Sequence, residues 1–208
     1  MMNIIELQEL SFQEVKKYFL ENPQEVNSDI DGEDGRILDY AGWWSSYELA
    51  YFLIKELKVD ISRKDKDGTT AVSTAICKGI DSIDIVKLFL DNGANINEKD
   101  NDGDTLLHLA VGGISMGCPE VKNIKMLELL LQNGANINEK NNEGNTPLHL
   151  SIDAITERCF NNTEMVEFLL KAGASTKIKN NYGMSPLDIA IENNNLNLIK
   201  NMIIEKEV

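Results

Sequence analysis

The chain has 208 residues, a formal net charge of −14 at pH 7, 42% hydrophobic residues and 26% charged residues. This composition is typical of a folded globular protein. The acidic balance argues against nucleic acid or an anionic membrane as the partner, because phosphate groups attract Lys and Arg. With no apolar run of about 18 residues and no basic start before one, the sequence predicts a cytoplasmic protein that binds no membrane.

The first predicted element is a short helix near the N-terminus that ends before Pro23. Its apolar side chains recur at helical spacing and share one face. They are Phe12, Val15, Phe19 and Leu20. We interpret residues 1–33 as a helical cap that covers the first repeat.

The next segment, AGWWSSYELAYF, holds both tryptophans of the chain. Its Ser45 and Glu48 have the spacing of a capping box, which predicts that Ser45 begins a helix. Trp44 and Leu49 then form the two ends of a hydrophobic staple. Two roles stay open for Trp43: packing against the N-terminal cap, or exposure as an anchor for a partner.

Three segments downstream nearly copy one another: residues 88–110, 129–151 and 168–190. In each copy a Gly-Ala pair is followed by a second glycine ten residues after its own glycine, as Gly93 is by Gly103. The same step leads from Lys58, which stands in for the first glycine, to Gly68. This constant spacing indicates a rigid structural joint and extends the repeat upstream to about residue 34.

Local chemistry predicts helix boundaries within each copy. Thr146-Pro147 and Ser185-Pro186 pair an N-cap residue with proline at the first helical position. The glycine of Gly-Ala predicts a left-handed C-cap, and the Asp-Gly pairs between the helices predict hairpin turns. A single helix pair cannot bury its apolar face, so the pairs must stack.

The sequence Thr-Pro-Leu-His-Leu at 146–150, its imperfect copies at 105–110 and 185–190, and the Gly-Ala-Asn-Ile-Asn segments resemble the ankyrin-repeat family. The resemblance implies an all-α solenoid of stacked helix-turn-helix pairs with short β-hairpin loops. It covers residues 34–208 as about five pairs, at approximately 34–64, 65–99, 100–140, 141–179 and 180–208. The last helix is predicted from Leu196, Leu198, Ile199 and Ile203.

Two repeats are longer than the family pattern, and both insertions lie where the first helix turns into the second. Their sequences are GGISMGCPEVKN and DAITERCFNNTE. Insertions at the same place in successive repeats map to one edge of the stack, where partners often bind. The alternative is that they are longer helices with a tolerated surface loop.

The sequence offers no catalytic constellation, so we predict that the protein is not an enzyme and has no cofactor and no metal site. His108 and His149 occupy the fourth position of the Thr-Pro-Leu-His motif, where the family uses histidine for a hydrogen-bonded link within the repeat. The three cysteines, Cys77, Cys118 and Cys159, are far apart and lack CxxC pairing. They are predicted to be reduced structural thiols.

The predicted function is binding of a partner protein with a basic surface, through the acidic hairpin tips and the concave face of the first helices that the resemblance implies. The predicted contact residues are Glu33, Asp34, Trp43, Asp67, Asp102, Asp104, Glu143, Tyr182 and Met184. Aligned carboxylates would attract a basic partner, although turns favour Asp in any case. The alternative is a stand-alone inhibitor or immunity-type protein that neutralises a basic enzyme or toxin. The chain is expected to be monomeric on its own.

Overall fold

The computed structural model describes residues 4–28, 36–77, 82–112, 124–153 and 163–193. The chain divides into two compact units, Met1–Asn95 and Ile96–Val208. In the described ranges no helix is long and apolar enough to cross a membrane. The residue boundaries given above for the cap and the five helix pairs remain predictions.

The first unit contains six α-helices in its described part. They are α1 (Ile4–Glu9), α2 (Phe12–Glu21), α3 (Ile37–Trp43), α4 (Tyr47–Tyr51), α5 (Ala71–Cys77) and α6 (Ile83–Asp91). A 3₁₀ turn at Pro23–Glu25 follows α2, as the proline predicts, and a π-helical turn at Phe52–Glu56 continues α4. Helices α3 and α5 pack together, and α6 packs against both α4 and α5.

Helix α2 lies against the first repeat through its predicted apolar face, with one exception. Val15 and Phe19 are buried, whereas Leu20 is 55% exposed. The prediction for Leu20 was wrong because it directly follows Phe19 and therefore points about 100° away from it around the helix. The ring of Phe12 meets that of Phe52 edge to face, with 6.2 Å between centroids.

The link between α3 and α4 differs from the predicted capping box by one residue. Ser45 has a φ of +53° and closes α3 as the left-handed residue of a Schellman motif: its N–H donates to Gly42 O (3.1 Å), and that of Ser46 donates to Ala41 O (3.0 Å). Ser46 is then the N-cap of α4, where its Oγ accepts from Leu49 N (3.4 Å). The predictions of Ser45 as N-cap and of the Glu48 capping box were wrong because the end of α3 uses Ser45.

The second unit contains five α-helices in its described part. They are α7 (Leu106–Gly112), α8 (Ile124–Gln132), α9 (Pro147–Asp153), α10 (Thr163–Lys171) and α11 (Pro186–Glu192). Helix α9 packs against α7, α10 and α11, and α7 packs against α8. Most of each insertion falls between α7 and α8 or between α9 and α10, outside the described residues, as does the predicted last helix with Leu196, Leu198, Ile199 and Ile203.

Left-handed glycines end the second helices, as predicted. Gly93, Gly134 and Gly173 have φ values of 96°, 89° and 96°. Each forms a Schellman motif, shown at Gly93, whose N–H donates to Leu90 O (3.1 Å) while that of Ala94 donates to Phe89 O (3.1 Å). The described loops between repeats are hairpin turns, and Lys99 and Thr105 form an isolated antiparallel β-bridge in one of them. The predicted all-α repeat fold is confirmed.

Candidate partner-binding surface

Four hairpin turns share one geometry built on an Asp or Asn side chain. They are Asp65–Thr69, Asp100–Asp104, Asn141–Asn145 and Asn180–Met184. In the second of them, Asp100 Oδ1 accepts from the backbone N–H groups of Asp102 (3.0 Å) and Asp104 (2.8 Å). The same pair of bonds, at 2.8–3.1 Å, forms in the other three. In each of these four tips, the side chain of the first residue therefore holds the third and fifth residues.

The tip residues predicted to contact a partner fall into two groups by position. The third residues, Asp67, Asp102, Glu143 and Tyr182, are exposed, and Tyr182 has an exposed fraction of 74%. The fifth residues, Asp104 and Met184, are half-buried and join neighbouring repeats. Asp104 Oδ1 accepts from Asn141 Nδ2 (2.8 Å), and Met184 O accepts from His149 Nε2 (3.1 Å). The third residues are thus the ones presented to solvent.

An asparagine ladder connects the three tips of the second unit. Asn142 donates from its backbone N–H to Asp102 O (3.0 Å) and from Nδ2 to Asn101 O (2.8 Å). Asn181 repeats both bonds one tip further, to Glu143 O (2.9 Å) and Asn142 O (2.8 Å). The tips that carry Asp102, Glu143 and Tyr182 are therefore fixed in a row. Our sequence reasoning missed this ladder, although the Asn-Asn pairs shortly before Gly144 and Gly183 were a signal for it.

The contact between successive tips is close enough to require glycine at Gly103. A Cβ atom built there would lie 2.4 Å from Asn142 Oδ1 and 2.7 Å from Asn142 N. Its φ of +77° is a second reason, since this left-handed conformation is unfavourable for other residues. The tip glycine therefore serves both the turn and the ladder.

The first of these three tips concentrates negative charge. Asp100, Asp102 and Asp104 lie within five residues of the same turn. Burial raises the pKa of Asp100; backbone N–H bonds from Asp104 and Asp102 oppose this rise, whereas the carboxylates of those residues add to it. The cluster creates a negative potential at this tip, which attracts a basic side chain of a partner.

His108 and His149 form the predicted hydrogen-bonded link, and it extends to the next repeat. The backbone N–H of Thr105 donates to His108 Nδ1 (3.2 Å), so Nε2 carries the proton and donates to Asn145 O (3.0 Å). His149 bonds in the same way to Thr146 N (3.0 Å) and Met184 O. Burial is the main cause that lowers the pKa of both histidines, which favours neutral rings. Both side chains therefore have a structural role.

Large aromatic side chains are exposed on the first repeat. Trp43 is 48% exposed. Trp44 lines a cavity of about 220 Å³ together with Leu7, Leu10 and other residues of the N-terminal cap. Tyr47 and Tyr51, which our sequence reasoning missed, are 43% and 45% exposed. Their i, i+4 spacing in one helix was the available signal.

The remaining residues singled out from the sequence lie outside the described ranges or at the end of one. Glu33 and Asp34 lie outside the described residues, as do Cys118 and Cys159. Cys77 is exposed at the end of α5. The parts of the chain that the structure describes contain no group of three or more His, Cys, Asp or Glu side chains that could hold a metal ion.

Comparison with known proteins identifies the family. The family described as ankyrin repeats (3 copies) matches residues 41–121 and 114–208. The chain therefore belongs to the ankyrin-repeat family, whose repeats generally mediate protein–protein interaction and are typically non-catalytic. It is also similar to an ankyrin repeat protein of fowlpox virus, strain NVSL, with 42% identity over 62 residues. That match covers 30% of this chain and 22% of the viral protein.

Proposed function

We propose that this protein is a non-catalytic module that binds a partner protein with a basic surface. The contact residues are the exposed third residues of the tips, Asp67, Asp102, Glu143 and Tyr182, together with Trp43 at the end of α3. The observation that carries the proposal is the series of acidic third residues, each held in an identical turn with its side chain in solvent. We also propose that the chain acts in the cytoplasm as a monomer.

The rigidity of the tips in the second unit supports binding without much ordering of the surface. The side-chain oxygens of Asp100, Asn141 and Asn180 accept the backbone hydrogen bonds that fix the turns, and the asparagine ladder fixes one tip to the next. Pre-organised surfaces lose less conformational entropy on association. Carboxylates in such a row also raise the association rate of a basic partner, and salt weakens this effect.

The test separates the tips from the overall acidity of the chain. The tip variant Asp102→Asn/Glu143→Gln removes two charges. It leaves an amide oxygen in place of the Glu143 carboxylate oxygen that accepts from Asn145 Nδ2 at 3.0 Å. The control variant Glu128→Gln/Glu192→Gln removes two charges from exposed helix positions of the same unit. Partners captured from host lysate are identified by mass spectrometry, purified, and titrated against all three proteins by calorimetry.

We expect a basic partner that binds the wild type and the control alike and binds the tip variant at least threefold more weakly at low salt, in line with surface charge pairs of a few tenths of a kcal/mol each. Equal affinity of all three proteins would refute the role of the tips. If the partner is an enzyme or toxin, an assay of its activity tests the alternative function: loss of turnover at equimolar binding identifies an inhibitor, and retained turnover identifies an adaptor.

A further inference from the structure

A second surface lies in the first unit, on the second helices of the first two repeats. Helices α4 and α6 pack side by side, and an open groove of about 460 Å³ lies along them. Tyr47 lines it from α4, and Asp84, Lys87, Leu88 and Asp91 line it from α6. None of these residues belongs to a hairpin tip, so the groove is separate from the surface proposed above.

The ring of Tyr47 lines the α4 side of this groove, and Tyr51 packs against that ring. Tyr47 and Tyr51 stack with 6.1 Å between ring centroids and an interplanar angle of 29°, and nearly half of each side chain is exposed. Their stacking holds both rings in place on the surface of α4. Exposed aromatic groups of this kind provide large contact area and a π face that attracts cations.

The two sides of the groove are fixed relative to each other. Lys55 Nζ donates to Asn92 Oδ1 (2.6 Å), which ties the π-helical end of α4 to the C-cap of α6. Lys55 follows Tyr47 and Tyr51 at successive intervals of four residues, so all three lie along one side of the helix. This bond and the packing of α4 against α6 hold the two helices that form the groove together.

Charges on the α6 side determine which partner fits. Asp84 and Asp91 are both exposed and are seven residues apart, which places them about 10 Å apart along one face of the helix. Lys87 lies between them, one turn after Asp84. Leu88 contributes a buried apolar floor. The surface thus presents a carboxylate at each end, a cation between them and aromatic rings beside them.

We propose that this groove binds a basic segment of a partner protein that carries two Arg or Lys side chains about 10 Å apart. Residues i and i+3 of a polyproline II segment meet this requirement, because they lie on the same side of the chain and about 9 Å apart. One of these two cations pairs with Asp84 and the other with Asp91. One of the same two cationic groups also stacks on the face of the tyrosine ring. Because Lys87 repels such a segment, the groove prefers a partner whose basic residues avoid the middle.

The probe is the blocked peptide Gly-Arg-Ala-Ala-Arg-Gly, titrated into the ¹⁵N-labelled full chain at moderate salt. Amide chemical shifts locate the binding site, and their concentration dependence gives the affinity. We expect the largest changes at Tyr47, Asp84, Leu88 and Asp91. Neutralising the groove in Asp84→Asn/Asp91→Asn should weaken binding about three- to tenfold, and Lys87→Gln should strengthen it about threefold.

A matched control excludes attraction by net charge alone. Glu9→Gln/Glu21→Gln removes two exposed charges from the cap helices of the same unit, and we expect it to retain wild-type affinity. Tyr47→Phe should also retain affinity, whereas Tyr47→Ala should lose it with an unchanged far-ultraviolet circular dichroism spectrum. Equal weakening by both acidic variants, or shift changes confined to the hairpin tips, would overturn the proposal.

Discussion

The first unit and the second unit join the start of one repeat to the next with different chemistry. In the second unit, Thr105 precedes α7; its N–H donates to His108 Nδ1, and His108 Nε2 donates to Asn145 O. In the first unit, Arg36 occupies the capping position and Asp39 occupies the position of the histidine. Asp39 Oδ2 accepts from Arg36 N (3.1 Å), and Arg36 Nη2 lies 3.5 Å from Thr69 O.

The two joints share the hydrogen bond that the N-cap N–H donates, and they differ in which residue donates to the next repeat. The third residue of the helix accepts from the N-cap N–H in both units, but the donor to the following repeat moves from the third residue to the N-cap. Arg36 and Asp39 form a bidentate ion pair at 2.7 and 2.6 Å, with side chains only 6% and 14% exposed. Burial raises the pKa of Asp39, and Arg36 opposes that rise. The histidine joint needs no buried charge.

The largest expected effect comes from breaking the ion pair. Asp39→Ala should lower the free energy of unfolding by about 3–5 kcal/mol because it leaves the Arg36 guanidinium buried without its carboxylate. The double change Arg36→Thr/Asp39→His installs the joint of the second unit and should cost less than the single change. Both tryptophans lie at the end of α3, so urea denaturation followed by tryptophan fluorescence reports on this unit.

Asp91→Ala is the control for this comparison, since it removes an exposed carboxylate from the same unit and should change stability by less than about 0.5 kcal/mol. A double variant that is less stable than Asp39→Ala would show that the two joints are not interchangeable.

The second effect tests the histidine joint itself. His108→Ala should lower the free energy of unfolding by about 2–4 kcal/mol, because the ring is fully buried and its removal leaves a cavity and two unsatisfied groups, Thr105 N–H and Asn145 O. Urea denaturation followed by circular dichroism at 222 nm measures it, with Glu128→Ala as an exposed control in the same unit. A cost below about 1 kcal/mol would contradict a stabilising role for the link.

Acid should weaken the second unit through its histidines. Burial holds the pKa of His108 and His149 below the unfolded value of 6.5, so below that pH the unfolded chain binds protons that the folded chain does not. The free energy of unfolding therefore falls as pH decreases through 6.5, by at most about 1.4 kcal/mol per pH unit for each histidine. Urea midpoints at pH 7.5, 6.5 and 5.5 should show this decline.

The variant His108→Gln/His149→Gln separates this titration from that of the carboxylates. It should show a flatter profile across the same range, and an equally steep profile would assign the decline to other groups. Asp188 takes the histidine position in α11, where Ser185 hydrogen bonds lower its pKa below 3.8. Its contribution is present above the unfolded pKa and is lost only as pH falls below about that value, so it lies outside this window.

The features that could be predicted from sequence were those set by local backbone chemistry. Glycine spacing predicted the left-handed C-caps, such as Gly134, and the tip turns, such as Gly144, because both depend on a positive φ within a few residues. The histidine position predicted the link within the repeat. These local rules supported the family assignment and hence the all-α fold.

Features that depend on contacts between elements were missed or misplaced. Two adjacent serines both fit an N-cap, and only the end of α3 shows that Ser45 closes one helix while Ser46 begins the next. The helix angle separates Phe19 from Leu20, but which of the two is buried depends on the side of α2 that packs against the first repeat. The asparagine ladder from Asn142 joins residues about forty positions apart, so its register could not be deduced before the repeats were stacked.

The smallest expected effect sharpens the comparison at the ends of the second helices. Lys58 has a φ of +56° where the later repeats have glycine, and it follows a π-helical turn. The hydrogen bond from Val59 N to Leu53 O therefore spans one residue more than the equivalent bond from Ala94 N to Phe89 O. Lys58→Gly should raise the free energy of unfolding by about 1 kcal/mol, because glycine adopts this conformation without the cost that other residues incur. Thermal denaturation followed by tryptophan fluorescence measures the change.

Gly93→Ala is the reciprocal substitution in the same unit. A Cβ at Gly93 would meet no atom within 4 Å, so its expected cost of about 1–2 kcal/mol is conformational rather than steric. Opposite signs for the two variants would show that both positions require the left-handed conformation. Destabilisation by Lys58→Gly would instead mean that the lysine side chain contributes packing there that outweighs its backbone cost, and that the π-helical end of α4 is not equivalent to the glycine caps of the later repeats.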